Sequence, residues 1–441
     1  MFIDSRAVVP GAAFIALRGE RLDGHAFVTS AAARGASLVV VQRGSGWSEQ
    51  GPAVVEVDDT RVAFGELAHG HLQAWRQGGD RRILVVTGSA GKTTTRSLLA
   101  SLLATCGRCH ATEGNLNNLV GLPAVALAVT GEHRFVVLEA GMSLRGEIAE
   151  LSSIARPDVG VVTNIGVAHA AGVGGTRADV AREKGALFAA LGVEAIGVAN
   201  ADDDACMAQA AHLCNRVTFG RSPASDYRLL SRIPMVGGSV VRVSRPGGTF
   251  EVRIPLIGEA TALDFVAALA SAEAAVGEPL DVASITYALS HTGAVGGRAE
   301  VLRVAGNLLI VNDSYNANPA SMASALETLA ELAELEGRRA VAVLGEMKEL
   351  GELAEAEHVR VGELVARAGV AEFVGCGGWM DRALLRAEEL GVSVVRTEGV
   401  QDAAARVVGL VRPGDVVLVK ASRSVGVEHV VEELLRTAGN N

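Results

Sequence analysis

Residues 87–95, TGSAGKTTT, constrain the fold of this chain more than any other segment. They follow a short apolar run, ILVV, and precede a run with helical character, RSLLASLLA. A strand, a glycine turn and a helix N-terminus form a phosphate cradle, because free backbone N–H groups and the helix dipole converge on the anion. An ordinary helix start after a glycine turn is the alternative, but it explains neither the lysine nor the threonine run. We therefore predict that this segment binds nucleotide phosphates.

The residues of this loop have distinct expected roles. Lys92 supplies a compact positive charge for the phosphates, and Thr93 carries a hydroxyl of the kind that ligates Mg²⁺ in phosphate loops. The loop is shorter than the common GxxxxGK[ST] form, since only Ser89 and Ala90 separate its two glycines. The predicted nucleotide-binding residues of the loop are Gly88, Ser89, Ala90, Gly91, Lys92, Thr93 and Thr94.

The rest of the chain reads as an α/β protein of three domains. From ILVVT onward, short apolar runs alternate with helical stretches, which is typical of a parallel sheet with crossover helices. Between residues 227 and 258 the β-branched segments broken by GGS and PGGT indicate antiparallel hairpins. We predict a small N-terminal α/β domain (1–77), a central P-loop parallel-sheet ATPase domain with appended antiparallel hairpins (78–297), and a C-terminal Rossmann-like α/β domain (298–441).

The bulk composition narrows the class of protein. With 49% hydrophobic and 20% charged residues, and no apolar run long enough for a bilayer, we expect a globular protein without membrane insertion. A net charge of −10 argues against nucleic acid and leaves a small anionic ligand as the more plausible partner. The first residues lack a basic region followed by an apolar stretch, so we expect a cytoplasmic protein with reduced cysteines.

Three further residues stand out by their type and position. Glu139 ends the apolar run FVVLE and is placed to ligate Mg²⁺ beside Thr93. The alternative is an acidic residue without a function that faces solvent at the end of a strand. His169 follows another strand, and alone such a histidine is more often structural. Lys184 is one of few lysines in an arginine-rich chain, which favours a site that needs a deprotonatable amine over a surface position.

The spacing of the phosphate loop resembles that of the Mur ligase family, whose loop reads TGxxGKTT, and other family motifs follow in order. They include EGNLNNLVGLP at residues 113–123, NDSYNANP at 312–319, LGEMKELG at 344–351 and KASR at 420–423. At the front, DSR and ALRGERLDGHAF resemble the uridine-nucleotide domain of the family, so the resemblance covers nearly the whole chain.

The resemblance implies roles for individual residues. In the family the lysine matching Lys184 is carbamylated, and the histidine matching His169 lies near the metal, so Thr93, Glu139, His169 and Lys184 are the expected ligands of two Mg²⁺. Arg298 matches an arginine that reaches the ATP phosphates and joins Lys92, Lys184 and His169 as a catalytic residue. Asp313 and Asn118 are expected on the nucleotide, and the expected substrate contacts are Ser5, Arg6, Asn117, Tyr315, Asn316 and Asn318.

The segment DxYNANP is typical of the branch that adds D-alanyl-D-alanine to UDP-N-acetylmuramoyl-tripeptide through an acyl phosphate, in peptidoglycan precursor synthesis. Membership of this branch implies ATP as cofactor and D-alanyl-D-alanine and UDP-N-acetylmuramoyl-tripeptide as partners. We expect the protein to be a monomer. A ligase adding another amino acid, such as diaminopimelate or glutamate, is the nearest rival. The second rival is a nucleotide-binding paralogue without ligase activity. The motive for it is that residues 260–264, Ala260 to Asp264, replace the HNxxN motif that lies near adenine in the family.

Overall fold

The structure, a computed structural model, describes residues 1–19, 22–45, 51–292 and 296–439. Two residues of the uridine-domain motif, Glu20 and Arg21, lie outside the described residues. Short 3₁₀ turns occur at Ser5–Ala7, Gly24–Phe27, Ala305–Asn307, Gly351–Leu353 and Arg423–Val425. In the described part of the chain, no helix combines the length and the apolar character needed to cross a bilayer.

The N-terminal region is a small parallel sheet with helices. Its three strands, β1 (Ala13–Ile15), β2 (Leu38–Gln42) and β3 (Ala53–Val57), pair in that order, and α1 (Val28–Ala33) connects the first two. Helix α2 (Thr60–Arg76) follows, and the side chain of Asp59 caps its first turn by accepting from the N–H groups of Arg61 and Val62.

Helix α2 carries one apolar stripe that faces the next domain. Ala68, Leu72 and Trp75 recur at helical spacing and are buried in the same cluster as Ile83 and Leu122 of the central region. The helix therefore covers part of the central sheet, and it joins the first two domains through a shared core.

The central sheet has nine strands, in the order β12-β11-β10-β9-β8-β7-β4-β6-β5. The strands from β5 to β10 in this order pair in parallel, and β10, β11 and β12 form antiparallel hairpins at one edge. The predicted parallel sheet with appended hairpins is confirmed. The strands are β4 (Arg82–Thr87), β5 (Cys109–Ala111), β6 (Phe135–Glu139), β7 (Val159–Val162), β8 (Ile196–Asn200), β9 (Arg216–Gly220), β10 (Tyr227–Met235), β11 (Gly238–Arg245) and β12 (Gly248–Ile254).

Helices cover both faces of this sheet, which explains why its strands read as continuous apolar runs. Helices α3, α9 and α10 pack on one face, and α2, α4, α5 and α7 pack on the other. The helices are α3 (Lys92–Ala104), α4 (Gly121–Leu127), α5 (Glu147–Ala155), α6 (Ala170–Val173), α7 (Arg177–Ala189), α8 (Asp204–Gln209), α9 (Glu259–Val276) and α10 (Val282–Ser290).

The C-terminal region repeats the α/β pattern in a six-stranded sheet of order β13-β14-β18-β15-β16-β17. All neighbours are parallel except β13 and β14, so the predicted Rossmann-like α/β fold is confirmed. The elements are β13 (Glu300–Val304), β14 (Leu308–Asn312), α11 (Pro319–Glu336), β15 (Ala340–Gly345), α12 (Ala354–Arg367), β16 (Glu372–Cys376), α13 (Met380–Glu389), β17 (Ser393–Thr397), α14 (Val400–Leu410), β18 (Val416–Lys420) and α15 (Glu428–Gly439).

Candidate active site

A cavity of about 960 Å³ lies between the central and C-terminal regions. Its walls come from loops at the carboxyl ends of parallel strands in both sheets, where open α/β folds bind ligands. Most of the residues singled out in the sequence line it. They are Ser89, Ala90, Gly91, Lys92, Thr93, Thr94, Asn117, Asn118, Glu139, His169, Arg298, Asp313, Tyr315, Asn316 and Asn318.

The phosphate loop has the backbone expected of an anion cradle. Strand β4 ends at Thr87 and α3 begins at Lys92, with Gly91 in the left-handed conformation at φ 78°. A Cβ built at Gly91 would collide with the carboxylate of Asp264, so only glycine fits there. The side-chain amide of Asn164 also fixes the loop: its Oδ1 accepts from Ala90 N and its Nδ2 donates to Ala90 O, each at 3.0 Å. This residue is not among those predicted from the sequence.

Lys92 keeps its ammonium inside this cradle. Its Nζ donates to the carbonyl of Gly88 at 2.9 Å, within the same loop. Burial lowers the pKa of Lys92, while the nearby carboxylate of Glu139 opposes that shift and Arg298 adds to it. The charge is therefore poorly solvated, which strengthens its attraction for phosphate oxygens.

Glu139 is the centre of a small oxygen-rich cluster next to the loop. Its two carboxylate oxygens accept from Thr93 Oγ1 and from Asn117 Nδ2, both at 2.8 Å, and Arg96 Nε lies 3.6 Å away. The side chain of Glu139 is 2% exposed. A carboxylate and a hydroxyl are ligands that Mg²⁺ prefers, so the residues present fit such an ion.

Lys184 is buried in helix α7, behind the cavity wall. It is 1% exposed, and among the described residues no hydrogen bond or ion pair reaches its amine. Burial lowers the pKa of Lys184 far below its usual value, and the positive charge of Lys92 adds to this shift. Burial and the neighbouring positive charge thus both favour the neutral, nucleophilic form of this amine.

His169 meets a residue from the other side of the cavity. Its Nδ1 contacts a carboxylate oxygen of Glu349, which lies in the loop after β15. This contact holds the pKa of Glu349 below its usual range. Sequence reasoning missed Glu349, and its only signal was its place in the motif LGEMKELG.

Asn318 joins the two regions directly. Its Nδ2 donates to the carbonyl of Ser89 in the phosphate loop at 3.1 Å, and its Oδ1 caps α11 by accepting from Ser321 N at 2.9 Å. The exposed Asn316 makes no such contact, since its Oδ1 accepts from the adjacent Ala317 N. Both polar atoms of the Asn318 amide are therefore engaged, one with the phosphate loop and one with the start of α11.

Two arginines flank the ring of Tyr315. The guanidinium carbon of Arg298 lies 4.0 Å from the ring centroid and that of Arg423 lies 5.5 Å from it. Such cation–π contacts orient a guanidinium without neutralising it. Beside them Lys420 donates to Asp313 Oδ2 at 2.6 Å, so Asp313 is fixed at the cavity wall.

Asp264, noted above as a departure from the family motif, lies against the phosphate loop. It is buried on α9, and Thr95 Oγ1 donates to its Oδ1 at 3.3 Å. Burial raises the pKa of Asp264 from 3.8 to about 8, against the opposing effects of Thr95 and Arg298. A carboxyl group with a raised pKa therefore lines the cavity beside the phosphate loop.

Two of the predicted substrate contacts lie away from this cavity. Ser5 is buried and Arg6 is exposed in the N-terminal region, outside the lining of this cavity, and Arg6 pairs with Asp4 at 2.7 Å. Asn118 lines the cavity, and its Oδ1 accepts from the N–H groups of Val120 and Gly121 at the start of α4. Their roles in binding stay predictions.

Comparison with known proteins gives matches along the whole chain. Three family models match it: "Mur ligase family, catalytic domain" over residues 1–71, "Mur ligase middle domain" over 86–272, and "Mur ligase, glutamate ligase domain" over 297–423. The UDP-N-acetylmuramoyl-tripeptide--D-alanyl-D-alanine ligase of Escherichia coli K12 is 37% identical, over 98% of this chain and 92% of that protein. The enzyme of the same name from Bacillus subtilis 168 is 34% identical over equal shares.

Solved structures agree with the sequence matches. MurF from Acinetobacter baumannii superposes with a TM-score of 0.88 at 28% identity, covering 99% of this chain and 93% of that one. MurF from Thermotoga maritima in complex with ADP gives a TM-score of 0.86 at 28% identity, covering 100% and 97%. The three-part architecture described above is therefore shared with these proteins.

Proposed function

The chain belongs to the Mur ligase family, and we propose that it adds D-alanyl-D-alanine to UDP-N-acetylmuramoyl-tripeptide in an ATP-dependent reaction of peptidoglycan precursor synthesis. One observation carries this proposal above the others. The phosphate loop and the segment NDSYNANP face each other across a single cavity, so a nucleotide and an amine substrate can meet there. Its relatives of 33–37% identity over nearly the full chain carry the name of this activity.

Amide formation from a carboxylate and an amine is uphill in water, so the carboxylate must first be activated. A carboxylate oxygen of the tripeptide attacks the γ-phosphorus of ATP, and ADP leaves. The amine of D-alanyl-D-alanine then attacks the acyl carbon, phosphate leaves with the bonding electrons, and the amine loses its proton. Lys92 and Arg298 supply positive charge where the phosphoryl group is transferred, and closure of the cavity over the substrates would limit hydrolysis of the acyl phosphate.

We place two Mg²⁺ ions in this site, held by Thr93, Glu139, His169 and a carbamylated Lys184. When bound, these cations offset the phosphate charge during transfer. The neutral amine of Lys184 attacks carbon dioxide and loses one proton, which gives a carbamate with carboxylate-like oxygens. Lys184 is buried, and among the described residues its amine has no hydrogen-bond or ion-pair partner. This position supports carbamylation, because the reaction requires a neutral amine.

The other parts of the proposal concern the whole chain. We assign 1–77 to the uridine nucleotide, with Ser5 and Arg6 in contact with it, 78–297 to ATP, and 298–441 to the amine substrate and closure over the nucleotide. We further propose a cytoplasmic monomer, in which the central and C-terminal regions of one chain form the two walls of the cavity.

Phosphate release by the purified protein tests the activity. The assay contains ATP, UDP-N-acetylmuramoyl-tripeptide and one amine: D-alanyl-D-alanine, diaminopimelate, glutamate or D-alanine. We expect release with D-alanyl-D-alanine and little with the other three. A preference for diaminopimelate or glutamate would move the protein to another branch of the family. ADP binding without release with any amine would favour the paralogue lacking ligase activity, for which Ala260 and Asp264 are the motive.

A further inference from the structure

We propose that Glu349 is the positioning residue for His169, so that docking of the C-terminal domain and orientation of this histidine are a single event. The effect on turnover rests on the proposed function, whereas the contact between Glu349 and His169 does not. The contact itself, between His169 Nδ1 and a carboxylate oxygen of Glu349, joins two loops that lie far apart in the sequence.

Both partners hold an unfavourable backbone conformation. His169 has φ 62° and Glu349 has φ 65°, in the left-handed region that residues other than glycine rarely adopt. Strain of this kind persists where the surroundings enforce it, and it gathers at functional sites. Two residues in this conformation meet across the cavity, and this coincidence favours a role for their contact.

The two loops approach each other closely next to this contact. A Cβ built at Gly351 would lie 3.3 Å from the Cβ of Ala171, two residues beyond His169. Glu349 has no competing partner among its described sequence neighbours, because Lys348 pairs instead with Glu346 at 2.6 Å. The carboxylate of Glu349 is thus committed to the histidine when the domain is docked.

The physical effect of the contact is on the imidazole. A carboxylate at Nδ1 favours the proton on that nitrogen and fixes the plane of the ring, which leaves the lone pair on Nε2. Carboxylates that hold histidines in this way raise the ligand strength of the other nitrogen. If His169 faces a cation, its orientation is then set by a residue from the opposite domain, and it is set only after closure.

Four variants test the proposal: Glu349→Ala, Glu349→Gln, Glu349→Gly and, as a control, Glu352→Ala, an exposed residue of the same loop. We expect Glu349→Ala to lower kcat for phosphate release about fivefold or more, with KM for ATP nearly unchanged. Glu349→Gln should recover part of kcat, because its amide oxygen can occupy the same place against Nδ1, although it carries no charge. Glu349→Gly removes both the contact and the strain, so it should unfold at the same or a higher denaturant concentration while kcat falls.

A second readout is independent of turnover. Mn²⁺ binding in the presence of ADP, followed by electron paramagnetic resonance, should weaken several-fold in Glu349→Ala and stay at the parent value in Glu352→Ala. Equal kcat and equal Mn²⁺ affinity in Glu349→Ala and Glu352→Ala would overturn the proposal. If the parent releases no phosphate with any amine, the proposed function fails, and the Mn²⁺ comparison still decides the role of Glu349.

Discussion

The side chain of Asn318 caps helix α11 with its oxygen and holds the P-loop carbonyl of Ser89 with its nitrogen. One amide thus links the start of a helix in the C-terminal region to the loop expected to bind phosphates. This differs from the contact with the amine substrate that the sequence predicts for Asn318, and the two roles have separable consequences.

Asn318→Ser should keep the cap and lose the cross-domain bond, because a serine hydroxyl caps helices but is too short to reach Ser89. We expect the free energy of unfolding to stay within about 1 kcal/mol of the parent, while kcat falls about tenfold or more through misplacement of the phosphate loop. Asn215→Ser, at an exposed asparagine outside the cavity lining, is the matched control. A rise in KM for D-alanyl-D-alanine as the only effect of Asn318→Ser would favour the substrate role.

Lys92→Ala should fold normally and lose turnover. The side chain is half-buried and its described hydrogen bond goes only to its own loop, so its removal leaves the core intact. We expect phosphate release to fall about a thousandfold, because a charge on the transferring phosphoryl group is lost. Circular dichroism and the unfolding midpoint check the fold. Near-normal release from the folded variant would contradict the phosphate-loop assignment.

Lys184→Ala should be nearly inactive, since the ligand formed by carbamylation is lost. Acetate or formate should restore part of the activity by occupying the vacated position. Lys184→Arg should also be inactive and should respond less to these acids, because its guanidinium fills the space and forms no carbamate. In the parent, ¹³C NMR with labelled bicarbonate should give a carbamate signal that Lys184→Ala lacks. An active Arg variant would exclude the modification.

Stability should depend on pH through Asp264. Its pKa is about 8 in the folded protein and 3.8 in an unconstrained chain, so between these values the folded state binds one more proton. The free energy of unfolding contributed by this group is therefore fully present below pH 3.8 and is lost as the pH rises toward about 8. Urea titrations from pH 5 to pH 8 should show a smaller decline in Asp264→Asn, whose amide does not titrate. Parallel declines in both proteins would contradict the prediction.

Tyr315→Phe should retain most activity, and Tyr315→Leu should lose it. Phenylalanine keeps the ring that flanks Arg298 and Arg423, whereas leucine removes it. We expect kcat to change by less than about threefold in the first variant and by about tenfold in the second, as for the loss of one to two cation–π contacts. Equal losses in both would point to the hydroxyl group, and hence to the substrate contact that the sequence predicts.

The parts of the fold that the sequence predicts are those with a local signal. The strand, glycine turn and helix around Lys92 follow from residues that adjoin one another, as do the hairpins after Tyr227. The contacts of Asp264 with the phosphate loop and of Glu349 with His169 join residues far apart in the chain. No periodicity or spacing encodes them, because the first depends on where α9 packs against the phosphate loop and the second on how the central and C-terminal regions are placed.

The boundary that we place after residue 77 stays a prediction, and the packing of α2 bears on how the molecule is divided. Ala68, Leu72 and Trp75 of this helix are buried against the central sheet. A fragment that starts after residue 77 would expose the surface that they cover, and we expect it to aggregate. Because they share this core, we expect the first two regions to keep a fixed relative position, so that access to the cavity depends on the position of the C-terminal region.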